Sequence, residues 1–109
     1  MDLTQAVATG RRAEVTFPAT VSTTPRYFVG SRTHCMHEAF KVATQSGFLE
    51  VVDNVALAPK VPVLPGDQIE VRGEYVPHGQ QGPLVHWTHH DPTHRHVDGF
   101  IQFHGQVYA

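Results

Sequence analysis

Prolines and glycines cut this chain into runs too short for much besides strands and turns. Eight prolines and nine glycines are spread through 109 residues. The stretch 56–66 holds Pro59, Pro62 and Pro65. Proline lacks a backbone donor and fixes φ, so no regular helix or central strand fits there. Between the breaks the residues are β-branched or aromatic and tend to alternate. Residues 14–24 are rich in Val, Thr and Phe, with Pro18 pointing to an edge or a bulge. Residues 37–44 put Glu38, Phe40 and Val42 on one face, and Gln45-Ser46-Gly47 turns into a second run over 48–52. Gly66-Asp67 opens residues 68–75, where Ile69, Val71, Gly73 and Tyr75 alternate with charged side chains. Gly73 in mid-strand marks a bend or the close approach of another backbone. Residues 78–83 form a turn, 84–88 a short strand, and 99–108 a terminal hairpin around His104-Gly105. Residues 26–33 read as a loop turning at Gly30. Asp2 caps and Gly10 ends a short helix between them.

The expected fold is all-β: one domain over residues 1–109, with an amino-terminal segment 1–12 and a barrel over 13–109. Five to seven short strands would build a small OB-like barrel, with a small sandwich as the other arrangement.

Composition excludes several classes. Eight Lys and Arg against ten Asp and Glu leave a net charge of −2, so a bulk electrostatic grip on nucleic acid is not expected. No apolar run reaches the roughly 18 residues of a membrane span. The single cysteine, Cys35, excludes an intrachain disulfide. Histidine stands out: there are nine, and five of them fall between His86 and His96.

Neutral imidazole is a metal ligand and a proton carrier near neutral pH. If the chain is extended from His86 to His90, then His86, Thr88 and His90 share one face and Trp87, His89 and Asp91 the other. Pro92 then ends the strand and the following loop returns His96 toward His89 or His90. The candidate metal ligands are His86, His89, His90, Asp91 and His96, for zinc, nickel or copper. Cys35 and His37, two residues apart, are positioned to add a soft ligand. The bland alternative is a polar network in which imidazoles pack beside Trp87 and donate to backbone carbonyls. No common metal spacing is present to favour the metal. A metal-free route also exists, in which His37 and His89 act as acid and base with Arg95 stabilising charge on a phosphodiester. His78, His94 and His104 sit in turns and are expected in solvent. Trp87, Phe17, Phe40, Phe48 and Tyr75 are either stacking platforms or core. Trp87 is expected in the core, its ring opposite His86 on a strand.

Several segments together are similar to one family of bacterial proteins. They are Gly66-Asp67, Gly73-Glu74-Tyr75, His86-Trp87-Thr88-His89-His90-Asp91-Pro92, Arg95-His96 and Gly99-Phe100-Ile101. With His37-Glu38-Ala39-Phe40 and the segment from Ala56 to Pro62, they resemble the DUF3465 family over residues 15–109. The resemblance implies a small OB-like barrel and a periplasmic or secreted location, and it brings no activity with it. The chain departs from the family pattern where Asp53 replaces a histidine and Ala56 an aspartate.

Two functions are therefore expected as alternatives. One is a histidine-rich metal-binding protein, with hydrolytic activity on a phosphodiester or another ester. The other is a non-catalytic module whose barrel holds an oligonucleotide, sugar or peptide.

Overall fold

The computed structural model describes residues 1–109. Strands dominate it, with one short helix, as the turn pattern requires. The helix α1 spans Leu3–Thr9. Asp2 accepts the Gln5 N–H at 2.8 Å, and the Gln5 side chain reaches back to the Asp2 N–H. Gly10 closes the helix in the left-handed conformation, at φ 64°. Seven residues do not hold a helix alone. Docking does: Leu3 and Ala6 are buried in the common core.

Eight strands follow: β1 Ala13–Val21, β2 Arg26–Val29, β3 Met36–Thr44, β4 Gly47–Asn54, β5 Gln68–Gly79, β6 Gly82–His86, β7 Phe100–Phe103 and β8 Gln106–Tyr108. That is one more than the upper expectation. The addition is β2, read from sequence as a loop. It pairs with β3 from Arg26↔Ala39 to Val29↔Met36. Its side chains are mostly exposed, so it carries little of the alternation that marks a strand.

The pairings run β1–β3–β4–β6–β5, and β5 pairs again with β1. Only β4–β6 is parallel. The core gathers inward positions from all five, including Val15, Phe17, Phe40, Val42, Val51, Val71 and Val85. Phe17, Phe40 and Tyr75 are thus core residues, whereas Phe48 is 71% exposed. The proline stretch after β4 is irregular, yet Val61 and Val63 enter the core.

Two glycines set the geometry that matters below. A Cβ on Gly73 would overlap the His86 carbonyl oxygen, and one on Gly99 would overlap the carbonyl oxygens of Trp87 and Arg72. Only glycine lets the segment after β6 settle so closely against its neighbours.

Candidate functional site

β6 ends at His86, not at Thr88. Trp87 takes φ 56°, a conformation rare for a bulky side chain, and turns the chain out of the strand. This one residue overturns the expected extended run from His86 to His90. Thr88 and His89 turn inward and are buried, while His90 faces solvent. The Gly99 N–H donates to the His89 carbonyl at 2.9 Å and holds the turn shut.

The core assignment of Trp87 is also corrected: the residue is 37% exposed. It stacks on His86 with centroids 4.5 Å apart, and on His96 at 4.6 Å with the planes 5° from parallel. His89 meets His96 edge-on at 5.1 Å. The turn after Pro92 brings His96 back because Asp91 organises it. The Asp91 carboxylate accepts the N–H groups of Thr93, Arg95 and His96 and the Thr93 hydroxyl. These donors hold its carboxyl well below the usual carboxylate range, against the opposing effect of burial. The His96 Nε2 lies 3.7 Å from it.

These side chains border a cleft of about 350 Å³. Its wall carries His86, Trp87, His89, Asp91 and His96 from the turn segment, with Arg95 beside them. His37, from β3, lines the same cleft. The acid–base candidates His37, His89 and Arg95 therefore share one opening, as do four of the five metal candidates. His90 does not join them. It pairs with Asp98, Nδ1 to Oδ2 at 2.9 Å, on the exposed side of the loop. Cys35 is not among the lining residues, and its Sγ lies 3.5 Å from the Thr33 carbonyl oxygen. His78, His94 and His104 are exposed, as expected from their turns.

The imidazoles share a pattern of support. His37 Nδ1 lies 2.9 Å from the Cys35 carbonyl, His89 Nδ1 2.7 Å from that of His90, and His96 Nδ1 2.8 Å from that of Val97. A carbonyl only accepts, so each Nδ1 carries the proton. In each neutral ring Nε2 is then the acceptor. His86 differs: its Nε2 donates to Glu74 at 2.8 Å. Burial lowers the pKa of both His86 and His89, which favours the neutral rings, while Glu74 opposes the shift at His86. No three His, Cys, Asp or Glu side chains are grouped so as to hold a metal ion in this conformation.

Sequence reading missed Glu74 as the partner of His86. It also missed Thr88, wholly buried between the two cleft residues that flank it. The available signal was the alternation in β4. Leu49, Val51 and Asp53 all point inward, so the carboxyl of Asp53 stands at a core position.

No curated protein and no solved structure matches the chain significantly. One family matches residues 22–109, described as a protein of unknown function, DUF3465. The match takes in every cleft residue described above, and the chain belongs to that family.

Proposed function

We propose that this protein is a small OB-like barrel that acts as a non-catalytic binding module, with the histidine–tryptophan cleft as its site and a sugar as its ligand. The closed circuit of pairings through β1, β3, β4, β6 and β5 supports the barrel. One observation carries the binding site. His37 and His89 each have Nδ1 anchored on a backbone carbonyl, which leaves Nε2 of the neutral ring as an acceptor at one cleft; His96, anchored in the same way, turns its Nε2 toward Asp91. Fixed rings lose little freedom on binding, so their acceptors come at low entropic cost. A sugar brings hydroxyl donors for them and an apolar CH surface for the aromatic wall built around Trp87. An oligonucleotide fits less well, because the net charge is −2. The strained backbone at Trp87 also fits a binding role, since such strain gathers at ligand sites.

The same anchoring favours a second reading, a metal-binding protein with hydrolytic activity. Metal-ligating histidines also donate their other ring N–H to a carbonyl. His89 and His96, edge to face, would supply Nε2 to zinc, nickel or copper, with solvent completing the shell and His37 and Arg95 at hand for an ester.

One titration separates the two. Chelator-stripped protein is titrated with neutral oligosaccharides, short peptides and single-stranded oligonucleotides, and separately with Zn²⁺, Ni²⁺ and Cu²⁺. Calorimetry and the emission of the sole tryptophan are followed together. Oligosaccharide binding that perturbs Trp87 and falls at least tenfold in His89→Ala and His96→Ala supports the first reading. Stoichiometric metal binding at neutral pH, lost in the same variants and with no response to any sugar, replaces it with the second. Silence in every titration removes both.

A further inference from the structure

Behind the cleft wall lie two carboxyl groups with no place in the binding chemistry. Asp53 on β4 and Glu38 on β3 are register partners, and both are wholly buried. Their surroundings differ. Glu38 is well supplied with donors: Oε1 accepts the Val61 N–H at 2.9 Å and Oε2 the Tyr27 hydroxyl at 3.0 Å. Lys60 adds a favourable positive charge, its ammonium lying 4.8 Å from the centre of the Tyr27 ring. Asp53 receives less. Oδ1 accepts the Thr88 hydroxyl at 3.0 Å, the backbone of Asn54 adds a hydrogen bond, and Oδ2 has no partner at all. Even the Thr88 proton is divided, because the same hydroxyl lies 3.1 Å from the Val52 carbonyl.

Two ionised carboxylates at register positions, away from water, repel each other and lose their hydration. Glu38, with the donors and the lysine, is the better place for the charge. Asp53 is the better place for the proton. Thr88 connects this pair to the cleft, since it lies between Trp87 and His89 in sequence and bonds Asp53 with its side chain.

We propose that Asp53 is a positioning residue for the cleft: through Thr88 it holds the Trp87–His89 turn in place, and gain or loss of its proton shifts that turn and with it the site. The value of the site for binding rests on the reading given above; the coupling of Asp53 to the turn does not. Burial raises the Asp53 carboxyl to about 7, with Glu38 adding to the shift and Thr88 opposing it. The groups facing the pair are Tyr27 from β2 and Lys60 from the proline stretch, both on the Glu38 side, while on the turn itself Trp87 meets the rings of His86 and His96. His86 and His89 are shifted downward, so their own titration falls on the acid side of the Asp53 step.

The test is a nuclear magnetic resonance titration of the full chain from pH 5 to 9, without ligand. Three signals are followed: the Asp53 carboxyl carbon, the Thr88 amide and the Trp87 indole N–H. In the unaltered protein all three are expected to share one step near neutrality. In Asp53→Asn the Thr88 and Trp87 signals should stay at their low-pH positions across that step. In Glu38→Gln the carboxyl step should move to lower pH, because a like charge has gone. The proposal is overturned if the Asp53 carbon titrates near pH 4, or if Trp87 and Thr88 shift alike in the unaltered chain and in Asp53→Asn. The first of these outcomes needs no variant to fold. Failure of the cleft as a sugar site would appear only in the ligand titrations and would leave these signals unchanged.

Discussion

Substituting Trp87 tests the least expected feature of the site, its left-handed backbone. With 37% of the residue exposed, roughly two thirds of the ring is covered. A fully enclosed aromatic side chain buries about 150–250 Å². The covered part of Trp87 is then about 130 Å², worth about 3 kcal/mol at ~25 cal/mol per Å². The stacks on His86 and His96 add ~0.5–1.5 kcal/mol each. Truncation opens a gap continuous with the cleft, so the term for a sealed cavity stays small. Trp87→Ala is thus expected to cost about 4–6 kcal/mol. A core tryptophan on a strand would lose ~3–5 kcal/mol, so the absolute loss does not separate the two placements. The backbone does. At φ 56° an alanine carries ~1–2 kcal/mol of steric cost that glycine escapes. In an extended strand the order reverses, because glycine is the worse residue by roughly 0.5–1 kcal/mol. Trp87→Gly should therefore be more stable than Trp87→Ala by about 1 kcal/mol. Urea unfolding followed by far-ultraviolet circular dichroism measures both without the lost fluorophore. An alanine variant more stable than the glycine variant would refute the kinked turn and return His86 to His90 to a single strand.

Two further outcomes follow from the loop that carries His96. Gly99→Ala has no room for its methyl group, since the Trp87 and Arg72 carbonyl oxygens both stand in its way as backbone. It should destabilise the fold by ~1–3 kcal/mol and break the Gly99–His89 hydrogen bond, seen as faster exchange of the Gly99 amide; an unchanged exchange rate would show that the backbone yields easily. Asp91→Ala removes the shared acceptor of Thr93, Arg95 and His96, so those three amides should lose protection and Trp87 should lose its His96 partner. Because the folded carboxyl lies below its ordinary value, its support is present above the unfolded pKa of about 3.9 and lost as pH falls through the range below it. The alanine variant should therefore show less loss of stability than the unaltered chain in that acid range, and equal acid loss in both would remove Asp91 as the organiser of the loop.

How far the sequence reveals this molecule depends on whether a feature is written in residue type or in backbone geometry. The strands were legible because their ends carry chemical marks: Gly47, Gly66, Gly82 and Gly105 all stand at turns with positive φ. Gly73 in mid-strand pointed correctly to a close backbone approach, by His86. β2 was illegible for the opposite reason. Arg26, Tyr27 and Val29 are exposed and Phe28 is only half-buried, so only pairing with β3 makes them a strand. The cleft was half legible. A dense run of histidine marked the segment, and the break at Pro92 marked the return of His96. What decides which imidazoles meet is the turn at Trp87, and a left-handed tryptophan has no signature in residue type. Its cause lies elsewhere in the chain, in the closeness that Gly73 and Gly99 allow and in the Gly99–His89 hydrogen bond. The same turn carries His90 out to Asp98 and draws Thr88 in toward Asp53. A buried carboxyl at an inward strand position is readable from alternation alone, for Asp53 follows Leu49 and Val51 on the core side of β4. Its partner is not readable until β3 and β4 are paired and Glu38 stands opposite. The histidine count thus located the site, but long-range register and a strained turn chose its members. Those are also the two features on which the stability of Trp87→Gly and the titration of Asp53 bear.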